Sequence, residues 1–141
     1  MAYDDAQLAA VMNDSERIAM VGLSRRSESP SYLVAVYLKC NGYRVIPVNP
    51  RYTEIFGNRS YQSVSDIPCV VDLVVVFRRP RDVPAVARDV IEASPKYLWL
   101  QSGIRNDEAA ADVECRGIAV FQDICIEQTH QRLAKANFLK F

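Results

Sequence analysis

Apolar residues fall along this chain in short dense runs separated by stretches of helical spacing, and the alternation is regular. An amphipathic segment from Asp5 to Met12 predicts an opening helix laid over one face of the fold. Ile18 to Val21 then reads as a short buried strand that stops at Gly22. A Ser/Arg-rich loop leads from it into a helix beginning near Pro30 and closed by Gly42. Tyr43 to Val48 predicts a second strand, ended by Asn49-Pro50. After the polar, aromatic-bearing stretch 51–62 and a turn of helix near Ser63 to Asp66, the run Val71 to Phe77 is almost wholly β-branched. Such a run predicts a strand buried on both faces at the sheet centre. Helix Pro80 to Ala93, strand Tyr97 to Leu100, helix Asn106 to Arg116, strand Ile118 to Phe121 and a last helix from about Ile126 to Ala136 complete the pattern.

Five strands joined by helices predict an α/β protein with a Rossmann-like, doubly wound, parallel five-stranded sheet. Counted in chain order, the expected strand order is 3-2-1-4-5. It puts a ligand crevice at the carboxyl ends of strands one and four, where the order reverses. No repeat or linker interrupts the pattern, so residues 1–141 are expected to form a single domain. A domain of this length buries about two-thirds of its unfolded surface.

The 17 basic and 17 acidic residues balance, which removes any electrostatic case for nucleic acid or an anionic membrane as partner. No apolar run approaches the roughly 20 residues of a membrane span. The start, Met1 to Asp5, is acidic and lacks the basic opening of a signal peptide, so the expected location is the cytoplasm. Four cysteines without CxxC spacing, together with a single histidine, make neither a zinc site nor a disulfide framework.

A small anionic ligand must therefore be held locally, and the turn after the first strand offers the means. With Ser29 as cap and Pro30 as first helical residue, the amides of Ser31 and Tyr32 lie at the positive end of a helix, where an anion would satisfy them. A capped helix after a core strand also forms without a ligand, and this turn alone leaves both readings open. The G-x-G-x-x-G fingerprint of dinucleotide binding is missing, and the second strand ends in Asn49-Pro50-Arg51 where that fingerprint needs a carboxylate for the ribose hydroxyls. A cation there disfavours NAD and points to a ligand with an additional ribose phosphate, either NADP or coenzyme A. No glycine-lysine-serine or -threonine sequence exists to support ATP hydrolysis.

The segments Ile18-Ala19-Met20-Val21-Gly22-Leu23-Ser24, Pro30-Ser31-Tyr32, Gly42 through Pro50, Val71 through Arg79, Leu98 through Gly103 and Asp123-Ile124-Cys125-Ile126 together resemble the small single-domain CoA-binding proteins. These are relatives of the nucleotide-binding domain of the succinyl-CoA synthetase alpha subunit, and the resemblance runs from about residue 16 to 133. It implies that the loop Gly22, Leu23, Ser24, Arg25 and Arg26 cradles the phosphates. The family often has a basic residue before the cysteine and an acidic-histidine pair after it, where this chain has Ile124 and Gln128-Thr129-His130.

On the expected topology, Asn49, Pro50 and Arg51 leave the second strand at the adenosine end of the crevice. Phe77 and Arg78 leave the third strand toward the same rim, and Val83 packs on adenine. Gln101 and Gly103 follow the pantetheine from the end of the fourth strand. Cys125, at the start of the last helix, meets the ligand's sulfur or is simply a small buried hydrophobe. Trp99, Tyr97 and the tail Phe138-Leu139-Phe141 are expected to serve packing, and His130 is given no catalytic role. No nucleophile, base and orienting group recur together, so the expected function is binding of coenzyme A or an acyl-CoA without turnover. The alternatives are an NADP-dependent reductase or an acyl-CoA ligase component that needs a partner subunit.

Overall fold

Polar caps set the helix starts in the computed structural model, which describes residues 3–140. Asp4 and Gln7 cap α1 (Asp5–Asp14) reciprocally, Ser29 caps α2 (Pro30–Cys40), and Asn106 caps α4 (Asp107–Glu114). Two further helices are α3 (Val83–Ala93) and α5 (Ile126–Lys135). The parallel sheet is built from β1 (Arg17–Val21), β2 (Arg44–Val48), β5 (Leu73–Val76), β6 (Tyr97–Leu100) and β7 (Ala119–Phe121). Between β2 and β5, in the stretch with no expected strand, lies a small antiparallel hairpin of β3 (Glu54–Ile55) and β4 (Asn58–Arg59). Its turn needs Phe56 and Gly57 both at positive φ, and an aromatic residue in the first of these positions gives no turn signal.

The strands lie in the order β2-β1-β5-β6-β7. Counting the five parallel strands alone this is 2-1-3-4-5, which corrects the expected 3-2-1-4-5. Side chains alternate between two cores. Ile18, Met20, Leu73 and Val75 face α1, α2 and α5, while Ala19, Val21, Val74 and Val76 face α3 and α4. The chain runs from β1 through α2 to β2 on the first face. The return from β2 moves the opposite way and must cross on the other face to stay right-handed. Val64 and Ile67 of that connection pack there, in the α3/α4 core, and the chain enters β5 on the open side of β1. Leu73–Val76 thereby becomes the central strand, with no exposed surface. Because β2 is an edge strand, the missing amide of Pro47 costs the sheet no hydrogen bond.

Below the sheet, at the amino ends of its strands, Asp72 accepts hydrogen bonds from the amides of Glu16 and Arg17 and faces Lys96. Burial alone would raise its carboxyl pKa, but the two amides and the ammonium together hold it below the ordinary value.

Candidate functional site

The reversal of strand order fixes where a ligand fits. With β1 flanked by β2 and β5, the crevice opens at the carboxyl ends of β1 and β5, so the expected partner of β1, the fourth strand, is replaced by the third. The Gly22 amide donates to the carbonyl of Val48 at 2.9 Å, and the Phe77 amide to that of Val21 at 2.8 Å. The three strand ends are thus laced side by side. Gly22 itself takes φ +86°, and a Cβ built on it would lie 2.5 Å from the Phe77 carbonyl oxygen. No side chain fits between these loops.

Above this junction lies a cavity of about 760 Å³, lined among others by Gly22, Ser24, Asn49, Pro50, Arg51, Phe77 and Arg78. These seven, singled out from the sequence, are brought together here with Arg26 of the same loop, the cap residue Ser29, Tyr52 and Arg79. Arg26 is held by Glu28 at 3.1 Å, and Arg79 by Asp82 at 3.1 Å, while Arg78 stands 3.6 Å from the same Asp82. Bonding to Arg79, with Arg78 and Arg81 nearby, keeps the Asp82 carboxyl below its usual range. Arg51 has no carboxylate partner among the described residues, which makes it the cation most available to an incoming anion.

The loop from Gly22 to Ser29 is organised by its own serines. Ser31 is buried, and its hydroxyl accepts from the Ser24 amide at 3.0 Å; the Ser24 hydroxyl accepts from the Arg26 amide at 3.1 Å. The Tyr32 amide, expected to be free for an anion, is taken by the Ser29 hydroxyl at 3.2 Å. Of that pair only the Ser31 amide lacks an acceptor among the described residues. Leu23 is fully buried in the core, and the Arg25 guanidinium lies over the Tyr52 ring, 5.5 Å from its centroid. Asn49 spans the two loops: its side-chain amide donates to the Leu23 carbonyl at 3.0 Å and its oxygen accepts from the Arg51 amide at 3.0 Å.

Beyond Phe77, Arg78 and Arg79 the crevice continues into a second cavity of about 480 Å³ that also reaches Val34, Gln101, Ser102, Cys125 and Gln128. Gln101 is buried, and its oxygen caps α5 by accepting from the Ile126 amide at 2.9 Å. Cys125, the residue before α5, is half-buried at this end, whereas Cys40, Cys69 and Cys115 are exposed elsewhere. Gly103 is exposed and tied through its amide to Asp123, with open space where a Cβ would stand. Its positive φ accounts for the glycine. Val83 is buried in the α3/α4 core and presents no surface to a ligand; Val86, one turn further along α3, lines a neighbouring cavity in its place. Tyr52 and Val86 carried no motif in the sequence. Their roles follow from the hairpin and from the phase of α3.

Trp99 is fully buried with its indole donating to the Ile124 carbonyl, and Leu139 packs on the same core. Phe138 is partly exposed, and Phe141 lies outside the described residues. His130 sits in the core between Tyr37 and Tyr43, its Nδ1 2.6 Å from the Tyr37 hydroxyl.

A doubly wound parallel sheet whose strand ends carry a glycine turn, a serine-stabilised loop and several arginines puts the chain in the Rossmann-like class. Within that class the chain belongs to the CoA binding domain family, whose profile matches residues 16–131. It is 36% identical over 125 residues to protein YneT of Bacillus subtilis, covering 89% of this chain and 93% of that one. A solved structure from Thermus thermophilus superposes with a TM-score of 0.89 at 36% identity, over 93% of this chain and 99% of that chain. An ADP-forming acetate–CoA ligase of Methanocaldococcus jannaschii is 33% identical over 72 residues, which make up 51% of this chain but 10% of the ligase. The chain therefore corresponds to a small part of that larger enzyme. No helix among the described residues is long and apolar enough to cross a membrane.

Proposed function

We propose that this protein binds coenzyme A or an acyl-CoA along the crevice above β1 and β5 and carries out no reaction of its own. The observation that carries the reading is the continuity of the two cavities through Phe77 to Arg79. A basic chamber at the glycine turn suits the phosphates, and a smaller, more apolar extension toward Gln101 and Cys125 suits a pantetheine arm. Membership of the CoA binding domain family supports the same ligand.

Within this reading the amides of Arg25 and Ser31 and the hydroxyl of Ser24 meet the phosphates, and Leu23 and Tyr32 hold the loop from behind. Arg51 and Arg78 supply charge. Asn49 and Pro50 shape the adenosine end, and Gln101 and Cys125 border the thiol end. A ligase component completed by a partner chain is the second reading, favoured by the match to part of the acetate–CoA ligases.

Calorimetric titration with CoA, NADP and ATP tests the proposal. CoA is expected to bind with the highest affinity, and native mass spectrometry of protein purified without added ligand is expected to show a CoA-sized mass. Binding of NADP in preference to CoA would sink the reading.

A further inference from the structure

We propose that a cavity at the amino ends of β1 and β2 is a second ligand site, which takes a small organic phosphate ester. It lies at the end of the sheet away from the crevice, since the strand from Arg17 to Gly22 spans about 16 Å. The inference stands independently of coenzyme A binding. Arg17 and Arg44 open β1 and β2 and are partners in the parallel register, so both side chains leave the same face of the sheet. Two cations on neighbouring strands repel each other. Arg59 of the β3–β4 hairpin brings a third guanidinium to the same cavity, of about 370 Å³, and no carboxylate among the described residues lines it.

The three charges are poorly matched within the chain. Arg17 and Arg59 form no ion pair among the described residues, although Glu54 stands opposite Arg59 in the hairpin. Arg44 reaches only Glu16, at 3.9 Å and with both side chains exposed. The Arg59 guanidinium lies over the Tyr61 ring, 5.1 Å from its centroid, a contact that uses the face of the group and leaves its N–H edge to bond an anion. Guanidinium forks take phosphate oxygens in pairs, and a phosphate ester carries enough oxygens and charge to meet more than one fork at once. The other walls are Ile46, Pro47, Ile67 and the Tyr61 ring, with Asn58 at the edge. Inorganic phosphate leaves that apolar surface unused, whereas the organic part of an ester covers it.

Cys69 borders this cavity and is exposed, as Cys40 and Cys115 are elsewhere, so its alkylation reports on the site. Iodoacetate is an anion and iodoacetamide is neutral, and the ratio of their rates at one thiol cancels that thiol's own reactivity. By peptide mapping at low salt, the ratio at Cys69 is expected to exceed those at Cys40 and Cys115 at least fivefold, and to fall toward them at high salt. Phenyl phosphate is the probe ligand. It is expected to slow iodoacetamide at Cys69 at least fivefold, with inorganic phosphate needing at least tenfold higher concentration for the same protection and benzyl alcohol giving none. Arg59→Ala in the exposed hairpin and Arg44→Gln at the sheet edge are each expected to lose most of that protection. Equal rate ratios at the three exposed cysteines, no protection by phenyl phosphate, or protection that survives both substitutions overturns the site. Equal protection by inorganic phosphate or by benzoate overturns its assignment to a phosphate ester.

Discussion

At Gly22 the backbone takes a conformation that L side chains rarely adopt, and the Phe77 carbonyl occupies the space a methyl would need. Either constraint alone would favour glycine; together they leave no rotamer or small shift that relieves the strain. Gly22→Ala is expected to destabilise the fold by roughly 2–4 kcal/mol, measured by urea unfolding. A loss below 1 kcal/mol would mean that the β1 and β5 loops yield easily. Gly103 and Gly117 share the positive φ but stand in open space, so alanine there carries strain without a clash. The sequence marked Gly22 as a turn residue. It did not reveal the clash, because Phe77 is 55 positions away and meets Gly22 only through strand pairing.

Elements decide which candidate residues face the crevice. Ser24, Asn49, Arg51 and Arg78 sit where strand ends and loop signals put them, since a strand's carboxyl end in a parallel sheet has one destination. Val83 and Val86 differ in helical phase: Val83, Ala87 and Val90 make the buried face of α3 at i, i+4, i+7 spacing, and Val86 lies off that face, half-buried. Cys125 marks the far end of the crevice, and its half-buried state provides a reporter. Saturating CoA is expected to slow alkylation of Cys125 by iodoacetamide at least fivefold, read by peptide mapping, with no change at Cys40, Cys69 or Cys115. Equal protection at all four cysteines would argue for a general tightening of the fold. Gln101 supports the same region from beneath. Gln101→Ala removes the acceptor for the Ile126 amide, and a loss of about 1–2 kcal/mol in thermal or urea unfolding is the expected cost.

Across the whole molecule, stability follows pH through groups buried in the core. Burial pushes the pKa of His130 below its ordinary value, and its Nε2 has no hydrogen-bond partner among the described residues. Tyr43, which packs its ring against His130, is pushed up to about 12 by burial and by Tyr37, so it stays neutral beside it. The unfolded chain, with histidine near 6.5, binds more protons than the native state once the pH falls through that value. Stability is therefore expected to decline below pH 6.5, by up to about 1.4 kcal/mol per pH unit, until the folded pKa is reached. His130→Phe should flatten that segment of the profile in urea unfolding at pH 7 and pH 5.5. An unchanged slope would locate the titration elsewhere. Asp72 acts at lower pH with the opposite shift: its lowered pKa contributes stability above the unfolded carboxyl value that is lost as acid protonates it.

Hydrophobic periodicity determined the elements and the class of sheet, because burial on one or two faces leaves its period in the residues that do the burying. Cap residues at Ser29 and Asn106 placed helix starts for the same local reason. Strand order was decided by the tertiary structure, although two local signs pointed to it. Pro47 within β2 favours an edge, and the all-apolar Leu73–Val76 favours the centre; both conflict with 3-2-1-4-5 and agree with the order found. What no local pattern contained was the face taken by the β2–β5 connection. That depends on Val64 and Ile67 reaching the α3/α4 core, a contact between residues distant in sequence. The crevice and the meeting of Gly22 with Phe77 both follow from that crossing.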